Sequence, residues 1–290
     1  MNTEVYRFNV GDFECMAISD GTFLYEPPLI PPPATFLFAN APKGVLDQVL
    51  RENGIQAEQW LAFKDPFICV MVNTGRHKVL VDTGADGITP NTGRLLRNLH
   101  AVGIEAGEID TVILTHGHED HVGGNTNAQG KPAFPKARYV MWKEEWTFWT
   151  SDETSEKAEK LIGNSLLGFI RKNLLPIQHQ MDLVDHEAEI VPGIRTVPAP
   201  GHTLGHMAVV VSSNGEQLLC ISDAFIHPIH IEHPEWYTTF DMAPEQLIKT
   251  RHLLLNKAAI EKALMLASHF PFPGLGHVVR RRTRWQWQPI

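Results

Sequence analysis

Residues 110–124 read DTVILTHGHEDHVGG, and neither a regular strand nor a regular helix can carry that stretch through. The run VILT is apolar and partly β-branched, which predicts a short buried strand over 110–115. It stops at a turn that packs His116, His118, Asp120 and His121 into six positions. In a continuing strand, neighbouring side chains point to opposite faces, so these four would be split between core and solvent. A strand end followed by a loop gathers them on one side, and Gly117, Gly123 and Gly124 permit the tight path. Imidazole and carboxylate are the donors that zinc and similar divalent ions accept. The stretch therefore calls for a fold in which several strand ends meet at one crevice.

The rest of the chain supplies such strands. Residues 5–8 and 13–19 are β-prone runs joined by NVGD, a hairpin signal. Five prolines between 27 and 33 exclude helix and central strand and predict a semi-rigid loop. A helix is expected over 42–53, ended by Gly54, and another over 92–102, ended by Gly103. FICVMVNTG and HKVLVDTG read as two strands around Gly75, apolar enough to be buried on both faces. A strand near ARYVMW, helical material over 143–173 and strands at 181–184 and 194–198 follow. MAVVVSS and QLLCIS form a hairpin, a helix starts at Pro244, and ALMLAS is a last strand. Tight turns join some neighbours and helices join others, so the sheets should be mixed. One domain over 1–290 is expected, with an N-terminal hairpin and proline loop over 1–40 and a C-terminal tail over 271–290.

A formal net charge of -8 disfavours a nucleic-acid partner, because phosphates demand a basic face. The basic cluster RRRTR at 280–284 reads as part of a solvated tail. The start shows no signal-peptide core, and no run reaches membrane-spanning length, which points to a cytoplasmic protein without a membrane partner. Cys15, Cys69 and Cys220 are odd in number and far apart, as buried thiols would be. Fifteen histidines are many for a chain of 290 residues, and the strand ends account for part of the excess. His202 follows the strand ending near Ala199, Asp223 follows QLLCIS, and His269 follows ALMLAS. With the first turn this makes five histidines and two aspartates, too many for one tetrahedral ion and suited to two.

His116, His118, Asp120 and His121 match the HxHxDH motif of the metallo-β-lactamase superfamily, and His202, Asp223 and His269 match its later ligands in order. The resemblance runs from about residue 67 to 277. It implies an α/β fold, a four-layer αββα sandwich with two mixed β-sheets. It further implies that His116, His118 and His202 hold one metal, that Asp120, His121 and His269 hold the other, and that Asp223 bridges. The early strand-end aspartate of the family matches Asp82, expected to orient a ligand from behind, with His206 bracing the GHTLGH turn. ASHFPFPGLGHV, ISDGTF and the proline loop are similar to the methyl parathion hydrolase-like branch and to dinuclear acyl-homoserine lactonases. SDA at 222–224 departs from relatives that carry glycine before the aspartate.

These residues lead to a dinuclear hydrolase using a metal-bridging hydroxide, with Asp120 and Asp223 as catalytic residues and zinc first among the fitting metals, ahead of manganese, iron or cobalt. Phe36, Phe38, Trp146, Trp149, His227 and Tyr237 are the expected pocket residues, Tyr237 being nearest in sequence to a substrate tyrosine. Their aromatic character favours a small-molecule lactone or ester with an apolar acyl or aryl group. An organophosphate triester hydrolase, a glyoxalase II-like thioester hydrolase and a mononuclear iron persulfide dioxygenase are the alternatives. A homodimer is left open.

Overall fold

The computed structural model describes residues 4–28, 30–282 and 284–290. Two seven-stranded sheets organise the chain, the first from residues 5–184 and the second from residues 188–289. The first contains β1 (Val5–Val10), β2 (Phe13–Tyr25), β3 (Phe63–Asn73), β4 (Lys78–Val81), β5 (Thr111–Ile113), β6 (Arg138–Trp142) and β7 (Met181–Val184), in that spatial order. β1 to β4 pair antiparallel, and β4 to β7 pair parallel. The second runs from β8 (Ala188–Val191) through β9 (Ile194–Pro198), β10 (Met207–Ser213), β11 (Glu216–Cys220), β12 (Leu264–Leu266) and β13 (Leu275–Arg281) to β14 (Arg284–Pro289). Only β11 and β12 are parallel there. Both sheets are mixed, as the turn pattern implies.

Side-chain alternation makes the layers. On β2, Cys15 and Ala17 face the second sheet while Met16 and Ile18 face outward. On β10, Val209 and Val211 enter the space between the sheets, and Ala208 and Val210 face away from it. The outer face of the first sheet is covered by α3 (Leu95–Ala101), α5 (Lys143–Thr150), α6 (Asp152–Ile162) and α7 (Asn164–Leu174), which bring Leu99, Trp149, Ala158 and Leu174 into its core. The outer face of the second is covered by α9 (Pro244–Glu261), through Leu247, Leu254 and Leu255. The result is the expected αββα sandwich. A smaller aromatic cluster joins α1 (Pro33–Leu37) and α2 (Lys43–Glu52) to the segment after β11, including α8 (Ile229–Glu232).

Three features differ from the sequence reading. The loop through the prolines ends in α1, because proline suits the first helical position, where no backbone donor is needed, and residues 34–37 can continue the turn; Leu29 lies outside the described residues. The turn at 116–124 contains a one-turn helix, α4 (Glu119–Val122), whose preceding residue is His118. The stretch 271–290 is not a tail: β13 and β14 form a hairpin at the edge of the second sheet, with Trp285 buried against it. Arg280, Arg281, Arg282 and Arg284 are exposed around its turn, and Thr283 lies outside the described residues. Strand pairing orders this segment where composition alone reads solvation.

Candidate metal centre

The site is built where strands of both sheets end. β5 leads into His116, His118 immediately precedes α4, which carries Asp120 and His121, the loop after β9 carries His202, the turn after β11 carries Asp223, and the loop after β12 carries His269. These seven residues form two groups that share Asp223. One is His116, His118, His202 and Asp223; the other is Asp120, His121, His269 and Asp223. Within each group one donor atom per residue lies within 4.8 Å of all the others.

Asp223 divides its oxygens between the groups. Oδ2 faces His202 Nε2 at 3.3 Å and His116 Nε2 at 3.8 Å, and Oδ1 faces His121 Nε2 and His269 Nε2 at 3.0 Å each. Asp120 Oδ2 stands 3.4 Å from His121 Nε2 and 3.6 Å from His269 Nε2. In the first group His118 Nδ1 meets His116 Nε2 at 3.1 Å and His202 Nε2 at 3.0 Å.

Divalent cations fit this donor set. Three ring nitrogens converging at about 3 Å cannot all be satisfied by one another. His121 Nε2 is buried and makes no aligned hydrogen bond despite its approach to Asp223. Burial, together with the neighbouring His202, pushes the His118 pKa down to about 3, so its ring is neutral and ready to donate a lone pair. Burial would also lower His121 and His269, but Asp223 and the other carboxylates around them outweigh it and raise both. Burial likewise tends to raise Asp223, and the four facing histidines, His269 first, hold it well below the usual carboxylate range.

The faces of the rings turned away from the centre are held in place. His121 Nδ1 bonds Asp82 Oδ2 at 2.8 Å, His202 Nδ1 bonds Asp241 Oδ1 at 2.8 Å, and His269 Nδ1 bonds Asp65 Oδ1 at 2.9 Å. Each carboxylate fixes a ring orientation and leaves Nε2 pointing inward. Asp82, expected to orient a ligand from behind, contacts His121 through the ring nitrogen turned away from the centre; Asp65 and Asp241 were not anticipated. Asp65 lies in the KDP stretch ahead of the apolar run of β3, and Asp241 lies before α9; both read as ordinary polar residues. His206 bonds the Ala199 carbonyl at 3.0 Å and accepts the Asp223 backbone N–H at 3.2 Å, so it braces Asp223 itself, the residue shared by the two groups. Asp82 and Ser222 adopt left-handed backbone, φ 60° and 42°, and Thr115 Oγ1 ties them together at 2.8 and 2.9 Å. Such conformations cost about 1 kcal/mol or more and persist where the surroundings over-determine them.

Buried Glu145 also joins two ligand loops: it accepts Gly117 N–H at 2.9 Å and Gly205 N–H at 3.0 Å, as well as Trp149 Nε1–H. A Cβ on Gly117 would fall 2.2 Å from the Trp149 ring, so only glycine allows this approach.

A cavity of about 330 Å³ opens onto both groups. Its apolar wall is Ile30, Phe36, Leu161, Ile162, Leu166, Ile226 and Phe240, with Tyr25 beside it and no lysine or arginine. Of the expected pocket residues only Phe36 lies there. Trp149 is fully buried and packs edge-on behind His118, with ring centroids 5.5 Å apart. Trp146 packs against the helical face of the first sheet. Phe38 and His227 meet each other and Trp60 in the aromatic cluster beneath the pocket, and Phe38 also meets Trp236 there. Tyr237 is half-buried, and its backbone pairs with Ala39 and Asn40. The tyrosine at the cavity is Tyr25, at the end of β2. Helical spacing marked the tryptophans as apolar but could not tell core from cavity.

Two adjoining donor groups at the strand ends of a two-sheet sandwich are the arrangement that a dinuclear metal centre requires. A family model described as the metallo-beta-lactamase superfamily matches residues 69–269, and the chain belongs to that superfamily. Among its relatives, an N-acyl homoserine lactonase of Bacillus sp. is 24% identical over 182 residues, a match covering 55% of this chain and 64% of that enzyme. This chain thus spans just under two thirds of that relative's length. The N-acyl homoserine lactonase of Bacillus thuringiensis is 24% identical over 226 residues, covering 70% and 81%. Two solved structures superpose over nearly the whole chain. AidC, a dizinc quorum-quenching lactonase, has a TM-score of 0.85 at 24% identity and covers 99% of this chain and 97% of its own. The hydrolase AbOPH has a TM-score of 0.88 at 26% identity and covers 100% and 98%. Among the described residues no helix is long and apolar enough to cross a membrane.

Proposed function

We propose that this chain is a single-domain hydrolase that holds two divalent cations, zinc first among them, and opens neutral lactones or esters bearing an apolar acyl or aryl group. His116, His118 and His202 would hold one ion, Asp120, His121 and His269 the other, and Asp223 both. Bound there, divalent cations supply an acidified water and an electrophilic pull on a carbonyl oxygen.

The chain's own residues do the rest. Asp120 is kept ionised against burial by His121 and His269, and with Oδ2 turned to those rings it leaves Oδ1 to accept a proton at the cavity floor. The Tyr25 hydroxyl makes no hydrogen bond to the described residues. Burial, then the nearby Asp65 and Asp120, keep it protonated, so it can donate to a carbonyl or leaving-group oxygen. The apolar wall holds the acyl or aryl group and displaces water.

The observation carrying this reading is the cavity itself, apolar on its walls, free of fixed cations and ending on the two donor groups. An anionic β-lactam or glutathione thioester finds no lysine or arginine there, whereas an acyl chain gains about 25 cal/mol per Å² buried. The lactonase relatives support the same choice. The test is kcat/KM on one metal-loaded preparation for an acyl lactone, an aryl ester, a glutathione thioester, a phosphotriester and a β-lactam. Lactone or aryl ester should lead by orders of magnitude; a tenfold lead for the thioester or the β-lactam defeats the reading.

A further inference from the structure

Arg251 on α9 is fully buried, which is unusual for a cation, and its partners are backbone carbonyls rather than carboxylates. Nε donates to Ala224 O at 2.5 Å; Nη1 donates to Trp236 O and, at 3.4 Å, to Pro234 O. The guanidinium carbon lies 5.2 Å from the Phe225 ring centroid. Nη2 is buried and has no hydrogen-bond partner among the described residues. Asp241 and Glu235 are the acids whose charges reach it, and burial brings its pKa down only to about 10, so it remains a cation.

The three carbonyls belong to two segments that carry metal-site residues. Ala224 follows Asp223, the residue shared by both donor groups. Pro234 and Trp236 begin the loop that continues through Thr238, whose N–H bonds Asp241 Oδ2 at 2.7 Å, to Asp241, whose Oδ1 holds His202. The same loop closes on the backbone around His202, with Met242 N–H to His202 O at 2.9 Å and Ala243 N–H to Gly201 O at 2.8 Å. Neither segment is a strand, so no sheet ladder sets their separation. A planar fork of fixed N–H donors can set it, and an aliphatic side chain of equal volume cannot.

We propose that Arg251 is a positioning residue for the metal centre: by clamping segment 222–225 to segment 234–236 it sets the approach of Asp223 to His202, and with it how tightly divalent cations are held. The inference rests on the proposed ligand roles of those two residues.

The test uses the full-length protein loaded with zinc or cobalt, and compares Arg251→Met and Arg251→Lys with Leu99→Ala. Leu99 is fully buried on α3, in the core on the outer face of the first sheet and not in the clusters that hold either segment, and its truncation controls for lost stability. Zinc affinity is read by chelator competition, the ligand field by the visible spectrum of the cobalt form, and stability by Tm. Arg251→Met should weaken zinc binding about tenfold or more and alter the cobalt spectrum, the range seen when partners behind metal ligands are lost. Arg251→Lys should recover part of the loss. Leu99→Ala should hold zinc within about twofold of wild type even at a matched fall in Tm. Equal losses in the methionine and alanine variants, or wild-type affinity in Arg251→Met, overturn the proposal. If Arg251→Met does not fold, Arg251→Gln takes its place under the same criteria. Wild-type protein that takes up neither metal defeats the ligand assignment as well, whereas metal-binding wild type with an indifferent Arg251 series defeats this inference alone.

Discussion

Asp223 is the residue on which the two donor groups depend together, since each of its oxygens faces a different pair of histidines. Asp223→Ala should therefore remove most bound metal and lower kcat/KM on the order of 10³-fold, as loss of a central electrostatic group does. The carboxylates behind the rings should behave more mildly. Asp65→Asn, Asp82→Asn and Asp241→Asn each keep the shape and a hydrogen bond but lose the charge that fixes a ring. Each should weaken metal binding about 10–100-fold while leaving the protein folded. Elemental analysis after dialysis against graded chelator, with kcat/KM alongside, ranks the four. If Asp223→Ala retained both ions, the sharing inferred from its geometry would be wrong.

At the scale of elements, the outer wall of the cavity comes from the α6–α7 helical hairpin, which presents Leu161, Ile162 and Leu166 across from Phe36 and Phe240. It is joined at Gly163, whose φ of 80° reverses the chain where other residues would be strained. None of its residues belongs to the donor groups, so its contribution should be binding of the apolar substrate portion. Leu166→Asp should raise KM for a long-chain acyl lactone about 5–10-fold, the equivalent of roughly 50 Å² of lost apolar burial, with kcat nearly unchanged. A matched loss in kcat would mean that the hairpin also governs the chemical step.

For the whole molecule, the aromatic cluster under the cavity makes stability depend on pH. His227 Nδ1 accepts the Ile229 N–H at 3.2 Å; His230 Nδ1 accepts the His227 N–H at 3.3 Å while its Nε2 donates to Leu37 O at 2.8 Å. Both rings are thus satisfied only when neutral, and burial lowers His227 to about 4 and His230 well below its ordinary value. The folded pKa is depressed, so the contribution to stability is present above the unfolded value of about 6.5 and is lost as pH falls toward 4. An asparagine side chain at this position can place Oδ1 where the ring Nδ1 accepts, and it cannot take up a proton. Relative to wild type, the Tm of the His227→Asn variant should improve steadily from pH 7 to pH 4.5. A pH-independent difference would show that His227 is not held neutral by the fold.

The donor residues, their strand-end placement and the alternation that builds two mixed sheets were all legible in the sequence, because each depends on neighbours a few positions away. A β run must alternate, and a turn with four donors in six positions has few other uses. Of the partners behind the rings only Asp82, at the end of the apolar run LV, was legible; Asp65, Asp241, Glu145 and Arg251 act through contacts remote along the chain and look ordinary in sequence. The same holds for the pocket. Phe36, Phe38, Trp149 and Tyr237 are equally apolar on paper, but only the packing of α1, β2 and the α6–α7 hairpin decides that Phe36 and Tyr25 face the cavity while the others pack away from it. The arginine-rich end was misread because local charge predicts solvation, whereas pairing of β13 with β14, and of β13 with β12, makes it a hairpin at the edge of the sheet. Local patterning determined which atoms could do the chemistry, and tertiary packing decided how those atoms are aimed and what surrounds the substrate.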